Sequence, residues 1–483
     1  MKRITFLILL VTLFSLVLEG CGPGPSITQL PLAEPSPTDS ADETSQPPLP
    51  IDDTNQHLNM QENNTFARTK LETKPSGGLA DTRIGGNAET IHIDSRVWNA
   101  GIKWMRVIID SRGQWQYVDW DGNEYAIDSD DERVIDDLSS KGIKIMLVLD
   151  VWHTENRTVY YKTDEDIATY TNWVRFMVRH FKGRIEYYEI LNEPNLDFNS
   201  PSGMPVDAYA NLVRQTVPVI REEDPEAKIV VGAVPDTRFN DARNWIWDLF
   251  NSGIMPLVDG FSWHGMYGAA PSDDLRGERQ LNHPQVNNYW EDFPDYVKEL
   301  ISVAADNGFE GEFMTEEMLW RTPKMPHETE PDGFTDISAA KYYARSIIIH
   351  LGLDVSPGLA LPPDDDMPRS YSVIQAVSTV MAGAQAVDLP VVIDSDATNI
   401  KYYGFGLPNG EKLLAIWTDG AAVEDDPGIP LTLTFPDFSA ERVTGIDVLD
   451  GIEQQIVTED EGGNLVIHGL LVKDYPVVLR ITR

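Results

Sequence analysis

A chain of 483 residues is longer than one ordinary domain and calls for two or three modules. Its 42% hydrophobic and 9% aromatic content supplies a large core and excludes global disorder. A formal net charge of −39 repels phosphate, which argues against nucleic acid and polyanionic partners, and the single cysteine rules out intramolecular disulfides and a cysteine-rich metal site.

The first twenty residues carry two positive charges, Lys2 and Arg3, and then an apolar run over 4–18. That is a signal-peptide pattern, too short for a spanning helix of about 20 residues. The sole cysteine follows in Leu18-Glu19-Gly20-Cys21, which resembles the lipobox of bacterial lipoproteins, where the cysteine is lipidated and becomes the mature N-terminus. Leu18 and Gly20 match that pattern and Glu19 departs from it. The resemblance implies a protein anchored outside the cytoplasm in the bacterial cell envelope, touching a membrane through its N-terminal lipid only. Residues 21–76 are rich in Pro, Ser, Thr, Asp and Gln and read as a lipidated, disordered tether, with its last twenty or so residues able to lie as an edge on a later domain.

From 77 to 388, short apolar runs alternate with amphipathic ones. Strands are predicted at 81–85, 102–109, 143–149, 185–191, 229–232, 258–263, 312–315 and 358–361. Helices are predicted at 131–140, 166–181, 206–223, 241–251, 292–307, 337–351 and 373–386. Eight βα units predict a (β/α)₈ TIM barrel of the α/β class; an open doubly wound sheet is second, for want of a Gly-rich phosphate loop. From 389 to 483 the helices stop. Short strands with turn signals at Asn409-Gly410 and Gly462-Gly463 predict a C-terminal β-sandwich.

Chemistry in such a barrel sits where strands end at the C-terminal face. The fourth predicted strand ends Glu189-Ile190-Leu191-Asn192-Glu193-Pro194, and the seventh ends Thr315-Glu316-Glu317. Two carboxylates facing one another across the mouth suit glycoside hydrolysis, retaining at a separation of about 5–5.5 Å and inverting at about 6.5–9.5 Å. Strand alternation lets only one of Glu316 and Glu317 face the mouth. Glu189 shares the parity of Glu193 and reads as a buried structural acid, with Arg106 a candidate partner.

The Asn-Glu-Pro after strand four with the Thr-Glu ending strand seven resembles glycoside hydrolase clan A, in the manner of family 39 or family 5, over the region from about residue 80 to the C-terminus. The resemblance implies a retaining β-glycosidase with Glu193 as acid/base and Glu316 as nucleophile. It implies that Asn192 holds the 2-hydroxyl of the sugar, that Tyr267 donates to the nucleophile, that His264 lines the same subsite, and that Arg106 keeps the nucleophile charged. No metal or organic cofactor is called for, and the implied substrate is a β-linked poly- or oligosaccharide.

Aromatic planes for sugar rings could come from Trp115, Trp120, Trp152, Trp290 or Trp320, each equally able to serve in packing. Trp320, four residues past Glu316, is the expected platform, and His153 is a candidate for a sugar hydroxyl. The clan's tryptophan at strand eight is missing from Ser356 to Asp366, so either Trp320 takes its place or the subsite differs. Asp364-Asp365-Asp366 reads as a solvated loop rather than a calcium site. The rival function is a carbohydrate-binding lipoprotein whose barrel has lost catalysis.

Overall fold

A computed structural model describes residues 59–109, 127–150, 161, 163–196, 203–235, 237, 240–265, 289–320, 334–362 and 366–482. The first strand, β1 (Arg68–Lys70), precedes eight parallel strands that close into a barrel: β2 (Gly85–Glu89), β3 (Trp104–Ile108), β4 (Lys144–Leu149), β5 (Tyr187–Ile190), β6 (Lys228–Val234), β7 (Gly260–His264), β8 (Glu312–Met318) and β9 (Val355–Ala360). The helices are α1 (Ser95–Asn99), α2 (Ser129–Ser140), α3 (Asp164–Phe181), α4 (Val206–Glu223), α5 (Asn240–Asn251), α6 (Tyr289–Asp306), α7 (Asp336–Gly352) and α8 (Pro368–Val380). The expected TIM barrel is therefore present. Its strands read as continuous apolar runs, Lys144–Leu149 being KIMLVL, because both faces are covered.

The first strand falls later than the sequence predicts, at Gly85–Glu89 rather than 81–85. Its glycines hide it from a propensity reading. A Cβ on Gly85 would sit 2.1 Å from the Trp104 ring, so the glycine is what lets that indole fill the barrel. Trp104 joins Met146, Tyr187, Val230 and Met314 in a closed interior layer. Two residues further along, on the same face, stand Arg106, Glu189, Ser262 and Glu316. Strand parity thus lifts the chain from an apolar plug to a charged layer in one step.

The C-terminal region is the expected sandwich. Its strands are β10 (Gln385–Ala386), β11 (Val392–Ser395), β12 (Ile400–Gly406), β13 (Lys412–Thr418), β14 (Ile429–Phe435), β15 (Arg442–Asp447), β16 (Ile452–Gln455), β17 (Glu459–Glu461), β18 (Asn464–Val472) and β19 (Val477–Thr482). One sheet runs β1-β16-β15-β19-β13-β12-β10 and the other β11-β14-β18-β17. Gly410 at φ 90° and Gly463 at φ 92° turn the two hairpins that the sequence signals.

From residue 59 the stretch expected as tether takes its alternative form, an edge on the later sandwich. β1 pairs antiparallel with β16, Met60 sits in the sandwich core, and Gln61 bonds the backbone at Val457 and His468. The signal segment and Cys21 lie outside the described residues. Among the described residues no helix is long and apolar enough to cross a membrane.

Barrel and sandwich meet along α7. Lys341, 1% exposed, places Nζ 2.7 Å from Asp474 Oδ1 and donates to Val423 O, while Arg345 donates to the carbonyls of Asp474 and Gly420. At the end of α7, Gly352 leaves room for the Tyr403 ring, which a Cβ would meet at 2.1 Å.

His350, also on α7, is fully buried with Nδ1 2.7 Å from Ser346 O and its ring against Phe293. Burial pushes its pKa down to about 4. The unfolded chain binds that proton near 6.5, so between about pH 6.5 and 4 the unfolded state holds more protons and stability falls as pH falls. Urea denaturation at pH 7 and pH 5 should show the wild type losing about 2 kcal/mol more than His350→Leu. Equal losses would contradict a neutral buried imidazole.

Candidate active site

Arg106 is the hub. It rises from β3 fully buried and donates in four directions: Nε to Glu189 Oε2 at 2.6 Å, Nη1 to Asn87 Oδ1 and Glu317 Oε1 at 3.0 Å each, and Nη2 to Asn192 Oδ1 at 2.7 Å. Glu316 Oε2 lies 3.0 Å from the same Nε. The guanidinium fork suits this because its donors are fixed in a plane. It accepts nothing, so the Asn192 amide must present its oxygen to Arg106 and turn its NH₂ the other way.

The loop after β5 is bent by left-handed backbone at Leu191 (φ 64°) and Glu193 (φ 45°), on either side of Asn192. Such conformations in non-glycine residues collect at functional sites. Glu193 N bonds Ala233 O, which ties the loop to β6. Glu193 is 16% exposed and its Oε1 lies 3.1 Å from His264 Nδ1. The other ring nitrogen, Nε2, lies 3.9 Å from Glu316 Oε2. One imidazole therefore stands between the two glutamates that end the fourth and seventh barrel strands.

The expectation that only one of Glu316 and Glu317 faces the mouth is corrected. Glu316 keeps the interior parity of Met314. Glu317 should point outward, but it has φ 57° and the β8–β9 register slips between Thr315 and Met318. The slip swings Glu317 back, 3.0 Å from Arg106 and 3.4 Å from His264 Nδ1, with 29% of its side chain exposed. Glu316 beneath it is 0% exposed.

Burial pushes the Glu316 carboxyl well above its usual range, against the pull of Arg106 and with the push of Glu189. Burial also pushes Glu189 up, but the Arg106 charge beside it and the bonds from Arg106 and Ser262 outweigh it and its pKa is lowered. Of the two neighbouring carboxyls, burial therefore drives Glu316 toward its neutral form and Arg106 holds Glu189 toward its ionised one. Ser262 donates to Glu189 at 2.7 Å. Glu193 is raised by burial, with His264 pulling the other way. His264 is lowered by burial but raised more by Glu317 and Glu193, which favours the imidazolium.

Of the residues predicted from sequence, Glu193, Glu316, Asn192, His264 and Arg106 meet in this cluster. Trp320 does not. It is 1% exposed and packs edge-on against Tyr343 at 4.9 Å and beside Tyr342, so the expected sugar platform is a core residue. Tyr267, Trp152 and His153 lie outside the described residues, as do Trp115 and Trp120. Asn87 and Ser262 escaped the sequence reading, and Glu317 enters it only as the rival of Glu316. Parity with Arg106 and His264 could have found the first two, being their strand-pair neighbour and the residue two positions earlier. Glu193, His264 and Glu317 bring an oxygen, a nitrogen and an oxygen within 4.8 Å of one another. Arg106 Nη1 adds a positive charge beside them, 3.0 Å from Glu317 Oε1.

The sequence matches the cellulase (glycosyl hydrolase family 5) model over residues 52–251, which takes in Asn192 and Glu193 and stops short of Glu316. Among curated proteins, none matches this sequence. A family 39 glycoside hydrolase from the gut symbiont Bacteroides cellulosilyticus is similar in structure, with TM-score 0.60 and 16% identity over 85% of this chain and 82% of that one. A bifunctional glucanase-xylanase from a metagenome library gives TM-score 0.55 and 13% identity over 84% and 97% of the two chains. A family 51 α-L-arabinofuranosidase from Bifidobacterium longum gives 0.52 and 13% over 87% and 100%. At these identities the solved structures establish the fold. The family model, the barrel and the carboxylate site together identify the chain as a glycoside hydrolase. Within that class it is one of clan A, the group its strand-end motifs resemble.

Proposed function

We propose that the protein hydrolyses β-linked sugars of poly- or oligosaccharides with retention of configuration. The supporting observation is that the glutamates at the ends of the fourth and seventh barrel strands flank one imidazole, with the Arg106 guanidinium against Glu316. Glu316 attacks the anomeric carbon while Glu193 protonates the leaving oxygen, and the glycosyl ester on Glu316 is then hydrolysed by water that Glu193 deprotonates. Glu193 suits the acid role because burial keeps its proton. Glu316 must be ionised to attack, and the Arg106 guanidinium, 3.0 Å away, is the cation that supports its charge. Asn192, its amide NH₂ turned away from Arg106, offers a donor to the 2-hydroxyl.

Wild type, Glu193→Ala and Glu316→Ala should be compared on aryl β-xylosides, β-glucosides and β-mannosides and on an α-L-arabinofuranoside, with and without azide. Both variants should lose activity by about 10²-fold or more on unactivated substrates. Azide should rescue Glu193→Ala through a β-glycosyl azide and Glu316→Ala through the inverted one. Sugar binding without turnover in the wild type would move the protein to the carbohydrate-binding class.

We also propose that Cys21 carries a lipid that anchors the enzyme to the cell envelope. Metabolic labelling with a fatty acid should mark the wild type and not Cys21→Ser; equal labelling would overturn the anchor.

A further inference from the structure

Nothing in the double displacement needs a third carboxylate at the mouth, yet Glu317 is there. Its strand parity would send it outward, and a left-handed backbone at φ 57° together with the register slip after Thr315 is what turns it in. Its two oxygens are divided: Oε1 takes a bond from Arg106 Nη1 at 3.0 Å, and Oε2 lies 3.4 Å from His264 Nδ1. That nitrogen is the one that serves Glu193 at 3.1 Å. The His264 ring is 2% exposed, so its orientation is fixed by what it touches.

We propose, on the reading of Glu193 as acid/base, that Glu317 is a positioning residue. Its carboxylate holds the His264 ring against Glu193 and keeps the catalytic proton within that pair. Among the described residues, the charged groups facing His264 are Glu193 from the end of β5, Glu316 and Glu317 from β8, and Arg106 from β3. Arg106 opposes a charged ring, and Glu317 and Glu193 favour it. A negative charge beside a coupled pair strengthens both of its proton-binding steps, whichever member carries the proton. Removing that charge must therefore weaken both.

The test is the pH profile of kcat/KM for wild type, Glu317→Gln and Glu317→Asp, with the ¹⁵N-histidine spectrum of each, His264 being assigned by its loss in His264→Gln. In Glu317→Gln the basic limb and the His264 titration should both move to lower pH, by about one unit. Glu317→Asp, which restores the charge, should recover most of the shift. Superimposable profiles and titrations would overturn the proposal. So would a dead Glu317→Gln whose Glu317→Ala counterpart is rescued by azide with inverted product, since Glu317 would then be the nucleophile. A wild type that hydrolyses no glycoside would sink the retaining reading instead, and the His264 titration would still decide the role of Glu317.

Discussion

Arg106→Met should destabilise the protein by about 3–5 kcal/mol, the range for removing one partner of a buried charge network. The reason lies in how many groups depend on the guanidinium. Glu189 and Glu316 are wholly buried beside it, Glu317 is partly so, and the side-chain oxygens of Asn87 and Asn192 accept from it. No second cation of the described residues touches Glu189 or lies nearer to Glu316 than His264 Nε2 at 3.9 Å. Without Arg106 the buried carboxyls must stay protonated, while in the unfolded chain they ionise freely. Rising pH then favours the unfolded variant, so the gap from wild type should widen between pH 5 and pH 8 in urea denaturation. A gap that is small, or that narrows with pH, would show that the carboxylates do not rely on this cation. Activity should be lost as well, because Glu316 would have no charge to support its ionised form.

Lys341→Met is expected to cost a comparable about 3–4 kcal/mol by a different route. Lys341 is buried in α7 and pairs with Asp474, whose Oδ2 accepts from Val423 N and whose carbonyl accepts from Arg345. Methionine matches the lysine stem in bulk but leaves an unpaired carboxylate between barrel and sandwich. Replacing both charges, as Lys341→Met with Asp474→Asn, should recover a large part of the loss. Buried pairs are expensive to break and much cheaper to replace together. If the double variant is as unstable as the sum of the two singles, the pair is not the coupling element. The Cβ-free Gly352 against Tyr403 continues the same junction, which explains why a second domain trails the barrel as part of one compact unit from Gln56 to Arg483.

The barrel was legible because its signal is local. The buried strands read largely as apolar runs, and the fourth and seventh carry Glu193 and Glu316 just past or within them. Parity alone places Arg106, Glu189 and Glu316 on the interior face above the Trp104 layer. What the sequence hid falls under two physical causes. Backbone departures from strand geometry were invisible: Glu317 turns inward through a left-handed residue, and the first barrel strand is carried by glycines that make way for Trp104. Long-range pairing was invisible too. β1 looks like tether because its partner β16 lies hundreds of residues away, and no local pattern announces such a pairing. Trp320 illustrates a third point: a tryptophan near a catalytic strand end can as well be packing, and here Tyr342 and Tyr343 take its faces and edges.

Glu316, and not its neighbour, is the residue expected to form the covalent bond to the sugar. The measurement that reaches it most directly is mass spectrometry of the wild type after exposure to an activated 2-deoxy-2-fluoro-β-glycoside of the preferred sugar. Such a compound lets the first displacement proceed and slows the second, so the glycosyl-enzyme accumulates. Fragmentation of the labelled peptide should put a single sugar on Glu316, and inactivation should be absent in Glu316→Gln. A label on Glu317, or turnover of ordinary substrate with no trappable adduct, would contradict the account.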